Sequence, residues 1–259
     1  MLANLILIAV LMLALWLISL VRRDASIVDP FWGLGFAIVA WFTYWQTPCR
    51  GERGYLLLGL VTLWGLRLSS HLLRRNWGHG EDRRYRALRE KYGSWFPLIS
   101  LGLVFLLQAF LLWVVSWPVQ SAILRDAPIP WNWQDALGIG LWSVGMFFEV
   151  VGDWQLARFL ADPQNAGQVL QTGLWRYTRH PNYFGECCLW WGHALIAAAG
   201  QADGTLVSPV LMTFLLLKVS GVSLLESTLP TRRPAYHDYA QRTNTFFPGP
   251  PKRYRKITL

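Results

Sequence analysis

Residues 2–20 read "LANLILIAVLMLALWLISL", nineteen positions without one charge. At about 1.5 Å of rise per residue, a helix of that length crosses the hydrocarbon of a bilayer. The stretch lacks the basic leader and small-residue cleavage site of a secretory signal, so it reads as a span that stays. The fold class turns on it. Outward from there, mostly apolar runs recur at 30–47, 54–73, 98–119, 136–157, 185–200 and 206–227, and the runs at 30–47 and 185–200 are the shortest. The pattern predicts an all-α membrane protein with seven transmembrane helices. Composition agrees: 53% of the 259 residues are hydrophobic, 15% are charged and 16 are tryptophan, which excludes an ordinary soluble domain.

The net charge is +9, and it is unevenly placed. Of 24 Lys and Arg, 19 fall in the loops after the first, third, fifth and seventh runs, and 3 fall on the opposite side; Arg67 and Lys218 lie within runs. Basic loops stay in the cytoplasm, so the N-terminus is expected outside and the C-terminus inside. The basic face serves topology and attraction to anionic lipid, or it is the mouth of a site for a polyanionic cofactor. Connections on the outer side are short (47–53, 119–135). Those on the cytoplasmic side are long and polar (74–97, 158–186, 229–259). One membrane domain over 1–259, without internal repeats, is the economical organisation. Membrane lipids are its expected surroundings, nucleic acid is not an expected partner, and a monomer is expected.

"GEDRRYRALREKYGSWF" (80–96) reads as an amphipathic interfacial helix, with Tyr85, Leu88 and Tyr92 on one face. The tail "PGPPKRYRK" reads as a surface extension. Cys49, Cys187 and Cys188 give neither a disulfide framework nor a CxxC, and the five histidines form no HxxxH or HExxH. No metal is expected.

Ionisable residues in or beside apolar runs are costly unless paired or wet. Here they are Asp29, Arg67, Glu149, Asp153, Glu186, His193, Lys218 and Glu226. Glu149 and Asp153 stand four apart with Arg158 about a turn later. They form a structural cluster with Arg67 or Lys218, or they line a hydrated cavity open to the cytoplasm. Asp29 opens "DPFWGLGF". It reads as an N-cap before Pro30, or as a desolvated carboxyl kept protonated to donate a hydrogen bond.

Residues 173–186, "GLWRYTRHPNYFGE", are the most polar stretch beside a run. They supply a turn at Gly173, then Arg176, Tyr177, Thr178, Arg179 and His180, and a break at Pro181. A helix then starts near Asn182 and Tyr183, with amides and a positive dipole end at the mouth. Arginine forks suit phosphate oxygens. Asn182 and Glu186, four apart, suit an amide or ribose hydroxyls. Upstream, "DWQLARFLADPQNAG" (153–167) adds Asp153, Arg158, Asp162 and Asn165. A nucleotide with several phosphates and a carboxamide would use all of these. With neither a G-x-G-x-x-G after a strand nor a P-loop, its binding would be non-Rossmann.

These two segments resemble the C-terminal half of the steroid 5α-reductase family. Its superfamily includes sterol C14 and Δ7 reductases and isoprenylcysteine carboxyl methyltransferases. "VDPFWGLGF" and "LWGLRLSSHLLRRN" are similar to the N-terminal half of its bacterial members. The likeness runs nearly the whole chain, although "RHPNY-x-G-[ED]" does not separate reductases from methyltransferases. The resemblance implies a seven-helix enzyme of the bacterial inner membrane that takes NADPH from the cytoplasm and a steroid or other lipid enone in its bundle. Residues 1–120 would be the lipid-substrate half and 136–259 the NADPH-binding half. Asn182 and Glu186 match contacts to the nicotinamide and ribose, with Arg176, Tyr177, Arg179, His180 and Tyr183 beside them. Asp153 and Arg158 match the acid and base of the preceding helix, and Asp162 and Asn165 its loop. Glu226, Arg232 and Arg233 fall where the family grips the adenosine-phosphate end.

For catalysis the family uses an early Gln-Glu pair, where this chain has Val28 and Asp29. Trp64 stands where the family has a carbonyl-polarising Tyr. An indole donates only through its N–H, and Tyr85 is the candidate substitute. The implied reaction delivers a hydride to the β-carbon of a Δ4-3-ketone, while protonated Asp29 and a nearby donor stabilise the enolate oxygen. The rival readings are an S-adenosylmethionine-dependent methyltransferase and a non-enzymatic lipid-binding protein. The basic cytoplasmic face fits a phosphorylated cofactor better than the former, and the dense polar cluster would serve no purpose in the latter.

Overall fold

A computed structural model describes residues 1–47, 51–125, 129–219, 221–233 and 235–252, with the backbone alone for Thr228, Pro230, Thr231 and Arg232. Cys49 and tail residues 253–259 lie outside that set. Among the described residues every regular element is helical. Six stretches are long and apolar enough to cross a membrane: Leu2–Arg22, Ala25–Gln46, Glu52–Asn76, Arg83–Val115, Trp133–Ala161 and Val207–Ser227. They coincide with six of the seven expected runs. The other, 185–200, forms the 19-residue helix Pro181–Ala199, whose Asn182, Glu186 and His193 lower its hydropathy. Several helices outrun the apolar stretches that announced them. Hydropathy marks only the part suited to lipid, whereas backbone hydrogen bonding continues into polar turns.

The chain divides into two compact units, Met1–Asn132 with Ile196–Ser208, and Trp133–Leu195 with Pro209–Leu259. The first contains α1 (Leu2–Arg22), α2 (Val28–Gln46), α3 (Glu52–Asn76), α4 (Arg83–Tyr92), α5 (Phe96–Ser100), α6 (Leu107–Val115) and α7 (Trp117–Leu124). A π-helical stretch, Leu101–Leu106, joins α5 to α6. Two glycines set the α2–α3 crossing, since a Cβ on Gly33 would come within 2.6 Å of the Gly65 carbonyl oxygen. Small residues let helix backbones touch where lipid offers no hydrophobic push. Polar side chains tie the same unit together. The Asn4 amide donates to Thr43 Oγ1 and to Gln120 Oε1, both at 2.7 Å, and Gln120 donates to Ser116 Oγ at 2.7 Å. These buried groups, from α1, α2, α7 and the turn before α7, are satisfied by one another.

The second unit contains α8 (Trp133–Ala161), most of α9 (Pro181–Ala199), most of α10 (Val207–Phe214), α11 (Val222–Arg232) and α12 (Tyr236–Arg242). Glycines again govern the main crossing. Gly138, Gly145 and Gly152 recur every seven residues on α8, and Gly185 and Gly192 do so on α9. A Cβ on Gly185 would lie 2.6 Å from the Gly145 carbonyl, and one on Gly192 would lie 2.7 Å from that of Gly138. The pairing runs antiparallel and brings Pro181, at the start of α9, against Gly152. A seven-residue repeat keeps one face of each helix in contact. That crossing fixes where the RHPNY segment begins.

Candidate active site

In the first unit, Asp29 and Tyr85 come together from 56 residues apart. Tyr85 Oη donates to Asp29 Oδ1 at 2.7 Å, and the Arg84 guanidinium pairs with Oδ2 at 2.7 Å. The Gln108 amide, from α6, lies 3.5 Å from the Tyr85 oxygen. The amphipathic reading of α4 explains the geometry. Tyr85 is buried, Leu88 and Tyr92 are half-buried, and the arginines between them are mostly exposed. Asp82 caps this helix by accepting from the Arg84 amide at 2.9 Å. Glu81 ties the loop before it to the turn before α2, accepting from the Ala25 amide at 2.9 Å and from Arg89 at 2.7 and 3.0 Å. Burial alone would raise the Glu81 carboxyl, but the Arg89 hydrogen bonds and the Ala25 amide outweigh it and hold it below the usual carboxylate range.

The N-cap expectation for Asp29 is corrected. Asp24 caps the short 3-10 turn that leads into α2, accepting from the Ser26 amide at 2.9 Å. Asp29 sits inside the first turn of α2, where its side chain can reach across to α4. With one oxygen ion-paired and the other accepting the phenol proton, Asp29 acts as an acceptor. Trp64 is completely buried, edge-on to Phe36 with ring centroids 5.3 Å apart.

The second unit gathers the nucleotide-type residues into neighbouring groups. Trp154, Gln155, Arg158, Phe159, Asp162 and Asn165 line a cleft of about 310 Å3 together with Leu170, Thr172 and Gly173. Arg158 is exposed, with its guanidinium 5.7 Å from the Trp154 ring. Asp162 accepts from the Gln164 amide at 2.9 Å, and Asn165 donates to the Phe159 carbonyl at 3.0 Å. The loop that carries these groups is thereby held by its own side chains. Gly173 adopts a left-handed φ of 61°, and a Cβ there would strike Gln155. Gln155 in turn accepts from the Leu174 amide at 3.0 Å.

Beyond that turn, the expected residues divide. Arg176 and Tyr177 are exposed. Asn182 donates to the buried Asp153 at 3.2 Å, and its own oxygen accepts from the Tyr183 amide at 3.1 Å. Glu186, half-buried, accepts from Trp190 Nε1 at 3.1 Å. Glu226 is different. Its Oε1 lies 2.9 Å from His180 Nε2, accepts from Tyr236 Oη at 2.7 Å and pairs with Arg179 at 3.2 Å. Arg179 also donates to the Ala240 carbonyl at 3.1 Å and to Thr245 Oγ1 at 2.5 Å, and Tyr183 stacks on His180. Burial first, and then the hydrogen bond and charge of Glu226, push the Tyr236 phenol above its ordinary value. This knot binds the RHPNY segment to α11 and α12. Arg233 donates to the Gln168 carbonyl, while the Arg232 side chain lies outside the described residues. Sequence reasoning missed Arg84, Gln108, Gln155 and Tyr236. Their partners are 10 to 55 residues away, and no helical spacing rule reaches that far.

Comparison with known proteins adds lineage. The profile of the family described as "Protein of unknown function (DUF1295)" matches residues 15–243. An uncharacterized protein of Schizosaccharomyces pombe is 24% identical over 261 residues, covering 90% of this chain and 75% of that protein. The 3-oxo-5-alpha-steroid 4-dehydrogenases 1 of Homo sapiens and Macaca fascicularis are each 38% identical over 66 residues, a quarter of either chain. No solved structure matches.

Proposed function

This chain belongs to the DUF1295 family, and we propose that it is a membrane reductase that saturates the Δ4 double bond of a 3-oxo-Δ4-steroid, or of a similar lipid enone, with NADPH. The short likeness to the steroid dehydrogenases supports the reaction class. The observation that carries the proposal is the Asp29–Tyr85 pair, a buried hydroxyl aimed by a carboxylate.

NADPH, when bound, supplies the hydride. The cleft of the second unit suits such a cofactor because Arg158 lines it exposed and makes no ion pair among the described residues, as a phosphate requires. Asn182 and Glu186 would hold the carboxamide and ribose end, and Asp153 orients Asn182. Arg179, His180 and Glu226 act one step back by fixing the RHPNY turn. As the β-carbon of the enone gains its new bond, an electron pair moves to the carbonyl oxygen, and the Tyr85 hydroxyl turns from Asp29 to donate to that oxygen. A proton at the α-carbon then completes the saturated ketone. We assign residues 1–120 to the lipid substrate and 136–259 to NADPH within one membrane domain over 1–259. Pro181–Ala199 is the seventh span, and the N-terminus lies outside. The protein acts as a monomer in the bacterial inner membrane with its cofactor mouth toward the cytoplasm.

The test is thermal stabilisation of the detergent-purified protein by NADPH against S-adenosylmethionine. A ligand at one hundred times its Kd adds about 2.7 kcal/mol. NADPH should stabilise the wild type, and Glu186→Ala should lose most of that shift. Stabilisation by S-adenosylmethionine alone would favour the methyltransferase alternative.

A further inference from the structure

Arg84 belongs to a helix whose charges read as a solvated face, yet its side chain is spent inward. One terminal nitrogen meets Asp29 Oδ2 at 2.7 Å, and Nε meets Asp82 Oδ1 at 3.0 Å. The guanidinium carbon stands 5.3 Å from the centre of the Tyr85 ring. Two carboxylates and a phenol thus converge on one planar cation that keeps its proton at any pH a protein survives. Exposed ion pairs usually contribute little. This one is unequal, since the Asp29 side chain is only 11% exposed while that of Arg84 is 47% exposed. The buried partner depends on the pair far more than the exposed one does.

We propose that Arg84 is a positioning residue of the reductase: by pairing with the Asp29 carboxylate it weakens that group's hold on the Tyr85 hydrogen, and so frees the hydroxyl to donate to the substrate carbonyl. The proposal rests on the reading of the Asp29–Tyr85 pair as the carbonyl site. Without that cation the charge of Asp29 is uncompensated, and its hold on the Tyr85 hydrogen tightens. Gln108 completes the arrangement from α6, its amide facing the phenol oxygen from another side. At rest the hydroxyl is therefore held by a donor and an acceptor on separate helices, and the substrate carbonyl takes the place of Asp29 as its acceptor. In the reaction, negative charge grows on the carbonyl oxygen as the C–H bond forms at the β-carbon. The Tyr85 O–H answers that charge, and the Arg84 cation beside the ring lowers the cost of drawing electron density toward the phenol. Arg84 touches no reacting atom. It acts through Asp29 and Tyr85.

The experiment uses the full-length protein in detergent, a Δ4-3-ketone and NADPH, with Arg84→Gln, Arg84→Lys and the exposed neighbour Arg83→Gln as control. Misplacing a supporting group costs about tenfold to a hundredfold in rate. Arg84→Gln should lower kcat by about that factor with KM and NADPH affinity within about twofold, Arg84→Lys should recover part of the loss, and Arg83→Gln should match the wild type. The infrared carbonyl stretch of the enone bound with NADP+ should rise in Arg84→Gln, because a hydroxyl retained by Asp29 polarises it less. Wild-type kcat and carbonyl frequency in Arg84→Gln would overturn the proposal. So would equal loss in both Arg84 variants together with lost thermal stability, which marks a structural role. Failure of the wild type to reduce any enone would overturn the reductase reading itself, before any variant is made.

Discussion

Tyr85 carries the heaviest demand of any residue in the chain. It is the most buried residue of a helix otherwise rich in exposed charge, and its hydroxyl is oriented from both sides. A positioned donor of this kind contributes about a hundredfold or more to a rate. Tyr85→Phe keeps the ring and the packing and removes only the hydroxyl. Its kcat should fall about a hundredfold while NADPH affinity stays unchanged, measured by steady-state kinetics beside a binding titration. A Phe variant with wild-type kcat would return the donor role to another group. The residue was legible in the sequence as the inward face of an amphipathic helix. Its partner was only half legible. Asp29 was visible as an acid beside an aromatic run, but α2 begins at Val28 without a side-chain cap, and Asp24 caps only the 3-10 turn before it. The preceding turn feeds straight into the helix, and local pattern does not show that.

At the scale of helices, hydropathy located six of the membrane-crossing stretches because burying apolar surface in lipid needs only length and composition. The contacts between helices were less legible. Gly138, Gly145, Gly152, Gly185 and Gly192 stand in the sequence at a period of seven, but such a short repeat looks like ordinary glycine use until the two helices are seen face to face. Their meaning is steric. Placing a branched side chain at Gly145 or Gly185 forces α8 and α9 apart, because the space a Cβ would fill holds backbone atoms of the other helix. Gly145→Val should destabilise the protein by about 3 kcal/mol, the upper end for overpacking a tight contact. Gly140→Val, on the same helix with open space around it, should cost about 1 kcal/mol or less. Thermal melts in the same detergent make the comparison. The knot at Glu226 was invisible for a different reason: it ties His180, Arg179 and Tyr236 across loops that no helical period spans.

At the scale of the molecule, the chain is a membrane protein of two compact units, one holding the Asp29–Tyr85 pair and the other the cleft lined by Arg158. The membrane class was legible from composition alone, and the polar stretches 153–167 and 173–186 stood out because charge beside lipid needs a reason. What composition does not reveal is which of those polar groups are spent internally. Arg179, His180 and Glu226 pair with one another, while Arg158 faces the cleft. The central claim is that NADPH gives its hydride to a lipid enone. The most direct measurement is to supply NADPH carrying deuterium at the transferable position together with a Δ4-3-ketone, and to weigh the product by mass spectrometry. Hydride transfer from NADPH gives a saturated ketone carrying one deuterium from the cofactor, with the yield abolished in Glu186→Ala. A product without deuterium, or unchanged enone beside consumed S-adenosylmethionine, would contradict it.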